Sequence, residues 1–295
     1  MWKEIERAIG EATGEPFRVR SHRPVTGGCI NETVCLQSDG KRLFLKLNDA
    51  QGLSMFEAEA AGLSAIRDSR AIRAPEPLAW GVSDNRSWLA LEFIEFSGAK
   101  PGAGALLGEQ LAAMHRSTAA QFGWERDNTI GATPQPNSWM DSWTEFLRQR
   151  RLGFQLKLAG DRGAPGKLLA AGERLLELLP GLFTGYSPQP SLLHGDLWGG
   201  NWDTDEHGSP VIFDPAVYFG DREADIAMTE LFGGFDRRFY QAYDAAWPRD
   251  SGYHSRKSLY NLYHLLNHFN LFGGGYARQA GEVMAALLAE LSPQA

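Results

Sequence analysis

Apolar and polar positions alternate along the first third of the chain. Over most of the remainder the apolar positions recur every three to four residues. Trp2 to Ile9 reads as a short amphipathic helix, closed by a Gly-Glu-Pro turn. A glycine turn, Val25-Thr26-Gly27-Gly28-Cys29-Ile30-Asn31, then enters an apolar run over 32–36. Ser38-Asp39-Gly40-Lys41 separates that run from Leu43–Leu47 and predicts a β-hairpin. Leu43, Leu45 and Leu47 fall on one face of the return strand, with Phe44 and Lys46 on the other. Met55, Phe56, Ala60 and Leu63 predict a helix over 54–67, with Ser54 and Glu57 at capping-box spacing. Two further strands follow near 78–82 and 88–94, joined by Ser83-Asp84-Asn85-Arg86.

Residues 97–103 are rich in Gly, Ser and Pro and read as a linker. Beyond it, Leu107, Leu111 and Met114 mark a helix, and a loop over 120–138 leads to helices at 139–158 and 165–179. Ser191–Leu193 and Val211–Phe213 are short apolar strands on either side of a polar loop, and helices return at 223–233, 236–246, 255–271 and 277–292. The pattern is α+β: a lobe over 1–96 with an antiparallel sheet and a helix, a linker over 97–103, and a mainly helical lobe over 104–295.

Composition narrows the function classes. A chain of 295 residues fits two lobes or one large domain, and 43% apolar content supports a sizeable core. No apolar run reaches the roughly 18 residues that would span a bilayer, and Met1–Gly10 has no secretory apolar region. The two cysteines, Cys29 and Cys35, are too few for a disulfide scaffold, so a cytoplasmic, non-membrane protein is expected. A net charge of −7 argues against nucleic acid as a partner, though not against a nucleotide held by local geometry.

The densest chemistry lies in Leu193-His194-Gly195-Asp196-Leu197-Trp198-Gly199-Gly200-Asn201, followed by Val211-Ile212-Phe213-Asp214-Pro215. Phosphoryl transfer needs an in-line nucleophile and metal ions that neutralise the phosphates. Asp196 suits the first task as catalytic base, and Asn201 and Asp214 offer the hard oxygen donors that Mg²⁺ prefers. Asp-x4-Asn followed by a later strand-end Asp is the spacing of the protein-kinase catalytic loop, with Gly195 where those enzymes carry Arg. That departure points away from a protein kinase controlled by activation-loop phosphorylation. Upstream, Lys46 can reach the α- and β-phosphates of ATP, and Glu59 can hold it by an ion pair. Gly27 and Gly28 can turn backbone N–H groups toward phosphate, and Glu92, Phe93 and Ile94 stand where kinases hydrogen-bond adenine. Singly, each of these residues has an ordinary reading as a turn former, cap or surface lysine. Their order together predicts a protein-kinase-like bilobal fold that uses ATP and Mg²⁺. His194 is expected to brace Asp196 rather than to take a proton.

The loop His194 to Asn201 resembles that of the fructosamine kinase family, the ketosamine-3-kinases, in the aminoglycoside-phosphotransferase-like branch of the kinase fold. Phe44-Leu45-Lys46-Leu47-Asn48, Met55–Ala60, Asp214–Tyr218, Asp221–Met228, Leu231–Phe235 and Leu262–His268 agree as well. Gly199-Gly200, where Ser-Gly is common, is the main departure. The resemblance implies transfer of phosphate from ATP to the 3-hydroxyl of a ketosamine, a sugar adduct of an amine or of lysine. The 3-phosphate then sheds the sugar, which is deglycation. It implies the same roles for Asp196, Asn201, Asp214, Lys46 and Glu59.

Other readings compete. A kinase of the aminoglycoside or choline type would not need Trp198. A nucleotide-binding pseudoenzyme would lack one of Lys46, Asp196, Asn201 or Asp214. A metal hydrolase using His194, Asp196 and Asp214 would leave Lys46 and Glu59 without purpose. Trp198 is the best candidate for stacking on the sugar. Asn267 and His268, on an apolar helix, suggest either a substrate pocket or helix–helix hydrogen bonds. Glu223 and Asp225 are explained by a helix start, and the segment Asp221 to Asp225 is also placed to brace the catalytic loop. Cys29, in the glycine turn, is a redox candidate. The partner expected is a small ketosamine or glycated lysine, acted on by a monomer or homodimer.

Overall fold

The computed structural model describes residues 1–25, 30–98 and 100–292. The chain forms two compact units, Met1–Ala103 with Trp202–Pro215, and Gly104–Asn201 with Ala216–Ala295.

The first unit contains α1 (Trp2–Thr13), β1 (Ser21–Pro24), β2 (Glu32–Ser38), β3 (Lys41–Asp49), α2 (Leu53–Asp68), β4 (Pro77–Ser83) and β5 (Arg86–Glu92). The strands form one antiparallel sheet in the order β1-β2-β3-β5-β4. Asp84 and Asn85, both at positive φ (49° and 60°), make the two-residue turn between β4 and β5. That conformation matches strand twist, and Asp and Asn tolerate it. The leucine alternation in β3 does what it predicts. Leu43, Leu45 and Leu47 join Val34, Leu36, Trp88 and Ala90, and Ile5 and Ile9 of α1 cover them. Lys46 therefore faces the opposite side, where α2 packs on β4 and β5.

The capping box does not form. Helix α2 begins at Leu53 with Gly52 at its N-cap and no side-chain cap bond, which places Ser54 inside the first turn. Strand β1 escaped prediction because Ser21, His22, Arg23 and Pro24 are all exposed and carry no apolar alternation. The unit is completed by a hairpin of Trp202–Thr204 with Pro210–Ile212, whose Val211 bridges in parallel to Arg73. The stretch read as a linker is fastened to this hairpin. Ser97 N–H donates to the Thr204 carbonyl (2.9 Å), Thr204 Oγ1 to Gly98 (2.6 Å) and Lys100 Nζ to Glu206 (2.8 Å).

The second unit is mainly helical: α3 (Ala103–His115), α4 (Trp143–Phe146), α5 (Gly153–Asp161), α6 (Gly166–Leu178), α7 (Glu223–Leu231), α8 (Arg237–Ala246), α9 (Tyr253–Phe272) and α10 (Tyr276–Leu291). The helix expected over 139–158 starts only at Trp143, behind an N-cap at Ser142, and widens into a π-helical stretch at Leu147–Leu152 before α5. That widening carries Arg151 into the interior, against the rings of Phe146 and Tyr218 at 4.5 and 3.9 Å. Each short strand flanking the polar loop has its own partner. Ser191–Leu193 pairs with Tyr218–Gly220, and Pro210–Ile212 with Trp202–Thr204. No helix among the described residues is long and apolar enough to cross a membrane.

Candidate active site

In the first unit the register of β3 points Lys46 at α2. Its Nζ lies 2.5 Å from Glu59 Oε1 and 2.5 Å from Asp214 Oδ1, and its side chain is only 7% exposed. Asp214 follows the hairpin strand Pro210–Ile212 with φ at 55°, a left-handed conformation that an Asp side chain tolerates and that recurs at functional sites. Its side chain stays 39% exposed. Burial alone would push the Lys46 ammonium down. Glu59 and Asp214 more than reverse this and hold it well above the usual lysine range. Burial pushes the Glu59 carboxyl up, and the Asp214 charge adds to that against the pull of Lys46. Two carboxylates share one ammonium, and a polyanion arriving at Lys46 competes with Asp214 for it.

Glu92 closes β5. Its carboxylate accepts from Arg73 Nη2 (2.7 Å) and from the Glu76 N–H (3.3 Å). Phe93 lies under the Arg42 guanidinium at 4.6 Å, and Ile94 follows in the irregular segment. The Phe96 ring stacks on Phe213, the residue before Asp214, with centroids 5.0 Å apart. Gly27, Gly28 and Cys29 lie outside the described residues.

The polar loop belongs to the second unit. The Asp196 N–H donates to His194 Nδ1 (3.2 Å), which is the bracing expected of that histidine. Asn201 Nδ2 donates to the Asp196 carbonyl (2.8 Å) and to Asp196 Oδ2 (3.3 Å). Asp225, in the first turn of α7, accepts the N–H groups of His194 (2.7 Å) and Gly195 (2.8 Å). Its Oδ2 also lies 3.1 Å from His115 Nε2, and His115 Nδ1 lies 2.8 Å from the Tyr243 hydroxyl. Burial opposes ionisation of Asp225, but the His115 contact and the loop N–H groups prevail and hold its carboxyl below the usual range. The acidic start of α7 thus serves the loop as well as the helix end.

The absence of Arg at position 195 has a steric cause. Gly195 has φ +82°, and a Cβ there would lie 2.1 Å from the Ala216 carbonyl oxygen. The Trp198 ring lies over Gly200, where a Cβ would meet it at 2.3 Å, and the indole remains 41% exposed. Asn267 is buried. Its Oδ1 accepts from Gln155 (3.3 Å) and its Nδ2 donates to the Ile130 carbonyl (3.4 Å). These bonds tie Asn267 to α5 and to the strand Asn128–Ile130. His268 donates to the His264 carbonyl (2.8 Å) and sits among the rings of Phe232, Phe272 and Tyr276.

Sequence reasoning missed His115 and Tyr243. The signal for His115 was present, because it lies four residues after Leu111 on the buried face of α3. Asp221 was read as part of a segment placed to brace the catalytic loop, without its partners. It accepts hydrogen bonds from Tyr186 (2.9 Å) and Tyr260 (2.5 Å), both remote in sequence.

One buried group makes folding depend on pH. Burial, with His268 and Arg151 nearby, pushes His264 down to about 3 despite the opposing charge of Asp225. The unfolded chain then binds a proton that the folded chain refuses. The contribution is complete above the ordinary histidine value of about 6.5, and below it the fold loses ~1.4 kcal/mol per pH unit. Urea midpoints at pH 7.5 and 5.5 should therefore fall further for the wild type than for His264→Gln. Equal falls would show that this imidazole is not held neutral.

With these sites in place, comparison with known proteins is decisive. Residues 1–290 match the family model of fructosamine kinases. The chain belongs to the fructosamine kinase family. A Synechocystis protein named probable ketoamine kinase is 48% identical over 292 residues, covering 97% of each chain. The chloroplastic protein-ribulosamine 3-kinase of Arabidopsis thaliana is 43% identical over 274 residues, covering 92% of this chain and 83% of that one. A Haemophilus somnus crystal structure assigned as a fructosamine-3-kinase superposes with a TM-score of 0.90 at 29% identity, covering 98% of both chains. An aminoglycoside phosphotransferase, APH(4)-Ia, shares only the fold, with a TM-score of 0.63 at 16% identity. The family read from the loop His194–Asn201 and the protein-kinase-like fold read from motif order are both borne out.

Proposed function

We propose that this protein is an ATP-dependent kinase that phosphorylates the 3-hydroxyl of ketosamines, the fructosamine or ribulosamine adducts of amines and lysine. The observation that carries the reading is the braced Asp196. Its backbone is pinned through His194, Asn201 and Asp225, and an exposed indole stands two residues away at Trp198. Asp196 accepts or orients the hydroxyl proton, and the Trp198 face stacks on the sugar. Lys46, positioned by Glu59, holds nucleotide phosphate, and the segment Glu92–Ile94 takes the adenine.

Asp214, whose carboxylate is partly exposed, and Asn201 offer the oxygen donors that Mg²⁺ prefers and are the residues proposed to hold it. When bound, the ion neutralises charge on the transferring phosphate. The name of the cyanobacterial relative supports a ketosamine acceptor, and the name of the plant relative adds ribulosamines to the sugars to be tested.

The test is ADP release with ATP and Mg²⁺ against fructosyl-, ribulosyl- and erythrulosyl-lysine, with kanamycin and choline as controls. Turnover is expected with the ketosamines and not with the controls. Turnover with kanamycin or choline alone would reverse the assignment.

A further inference from the structure

Arg73 ties together three pieces of the first unit that sequence reading kept apart. Its Nη2 donates to Glu92 Oε1 at 2.7 Å, at the end of β5 and directly before Phe93 and Ile94. Its Nη1 pairs with Asp205 in the turn of the Trp202–Ile212 hairpin. Its own carbonyl accepts the Ile212 N–H at 3.0 Å, two residues before Asp214. Asp205 is buried and also accepts the N–H groups of His207 and Ser209 at 2.9 Å each, so the far anchor of the bridge is itself fixed. The Phe96–Phe213 stack and the Ser97–Thr204 bond lie on the same seam. A planar guanidinium can span two carboxylates, whereas an ammonium engages one point.

We infer that Arg73 is a positioning residue for the nucleotide, setting the segment Glu92–Ile94 against the strand that carries Asp214. This rests on the proposed reading in which the first is the adenine side of the site and the second its metal side. On that reading Arg73 is not itself a contact of the nucleotide or the transferred phosphate. It acts through Glu92, Asp205 and the Ile212 amide. Loss of the bridge leaves Lys46 and Asp214 in place but frees the two ends of the ATP site to move separately, so the effect falls on ATP and spares the sugar.

The experiment measures ATP·Mg²⁺ binding by calorimetry on the whole chain without acceptor, and separately the KM values for ATP and for ribulosyl-lysine. Arg73→Met is expected to weaken ATP binding and raise KM for ATP by about tenfold, the scale of one lost charged hydrogen bond, while KM for the ketosamine stays within about twofold. Arg73→Lys should recover part of the loss. Asp205→Asn should weaken ATP binding in the same direction, and the double variant should lose less than the sum of the two. ATP affinity within about twofold of wild type in Arg73→Met would overturn the inference, as would a parallel rise of both KM values, which marks general loosening. If Arg73→Met fails to fold, Asp205→Asn decides by the same criteria. ATP binding is read without acceptor, so a wild type inactive on every ketosamine would refute the proposed substrate and leave this test intact.

Discussion

Asp196→Asn should lower kcat by about 10²–10⁴-fold, the range of a lost general base, with little change in KM for ATP. The substitution keeps the shape of the side chain and an oxygen for Asn201 Nδ2, which lies 3.3 Å from Asp196 Oδ2. The loop should hold as well, because its main braces are backbone N–H groups delivered to Asp225 and His194. On the proposed reading, what disappears is the charge that accepts or aligns the sugar hydroxyl proton. In a loose phosphoryl-transfer transition state that proton leaves late, so the pH profile of the residual activity separates orientation from basicity. A turnover loss below about tenfold would remove Asp196 from its role.

Lys46→Met should cut kcat/KM for ATP by about 10²-fold, the upper end for a single charge-assisted contact. The same change removes the cation shared by Glu59 and Asp214 and leaves two carboxylates facing each other. Breaking a buried pair on one side costs about 3–5 kcal/mol when the remaining charge stays uncompensated. Glu59 is the more buried partner, and its carboxyl is already pushed up by burial. Without Lys46 it rises further, and a raised folded-state value favours the fold at low pH and penalises it as pH climbs through that value. The stability gap between variant and wild type should therefore be smaller at pH 5 than at pH 8 in urea titrations. A gap independent of pH, or unchanged ATP kinetics, would contradict the shared-ion geometry.

The chemistry was more legible than the architecture around it. Lys46, Glu59 and Asp214 could be grouped because each sits at a fixed place relative to a strand or helix with strong periodicity, and the structure joins them at one ammonium. Asp196 and Asn201 could be paired because five residues of one loop separate them. Illegible were the elements without periodicity: the exposed edge strand Ser21–Pro24 and the three-residue strands at 128–130, 133–135, 202–204 and 218–220. Their pairing is dictated by tertiary contact, not by side-chain pattern. Asn267 shows the limit from the other side. A polar residue on an apolar helix looks like a site until its partners are known, and those partners, Gln155 and Ile130, are more than 100 residues away. The bracing of the loop by His115 was hidden for the same reason, since nothing local joins α3 to α7.

Gly195 has a consequence for how such an enzyme is governed. The Ala216 carbonyl fills the space where any side chain at 195 would begin, so the loop offers no guanidinium for a phosphorylated segment to grip. That route of control has no receptor at this point.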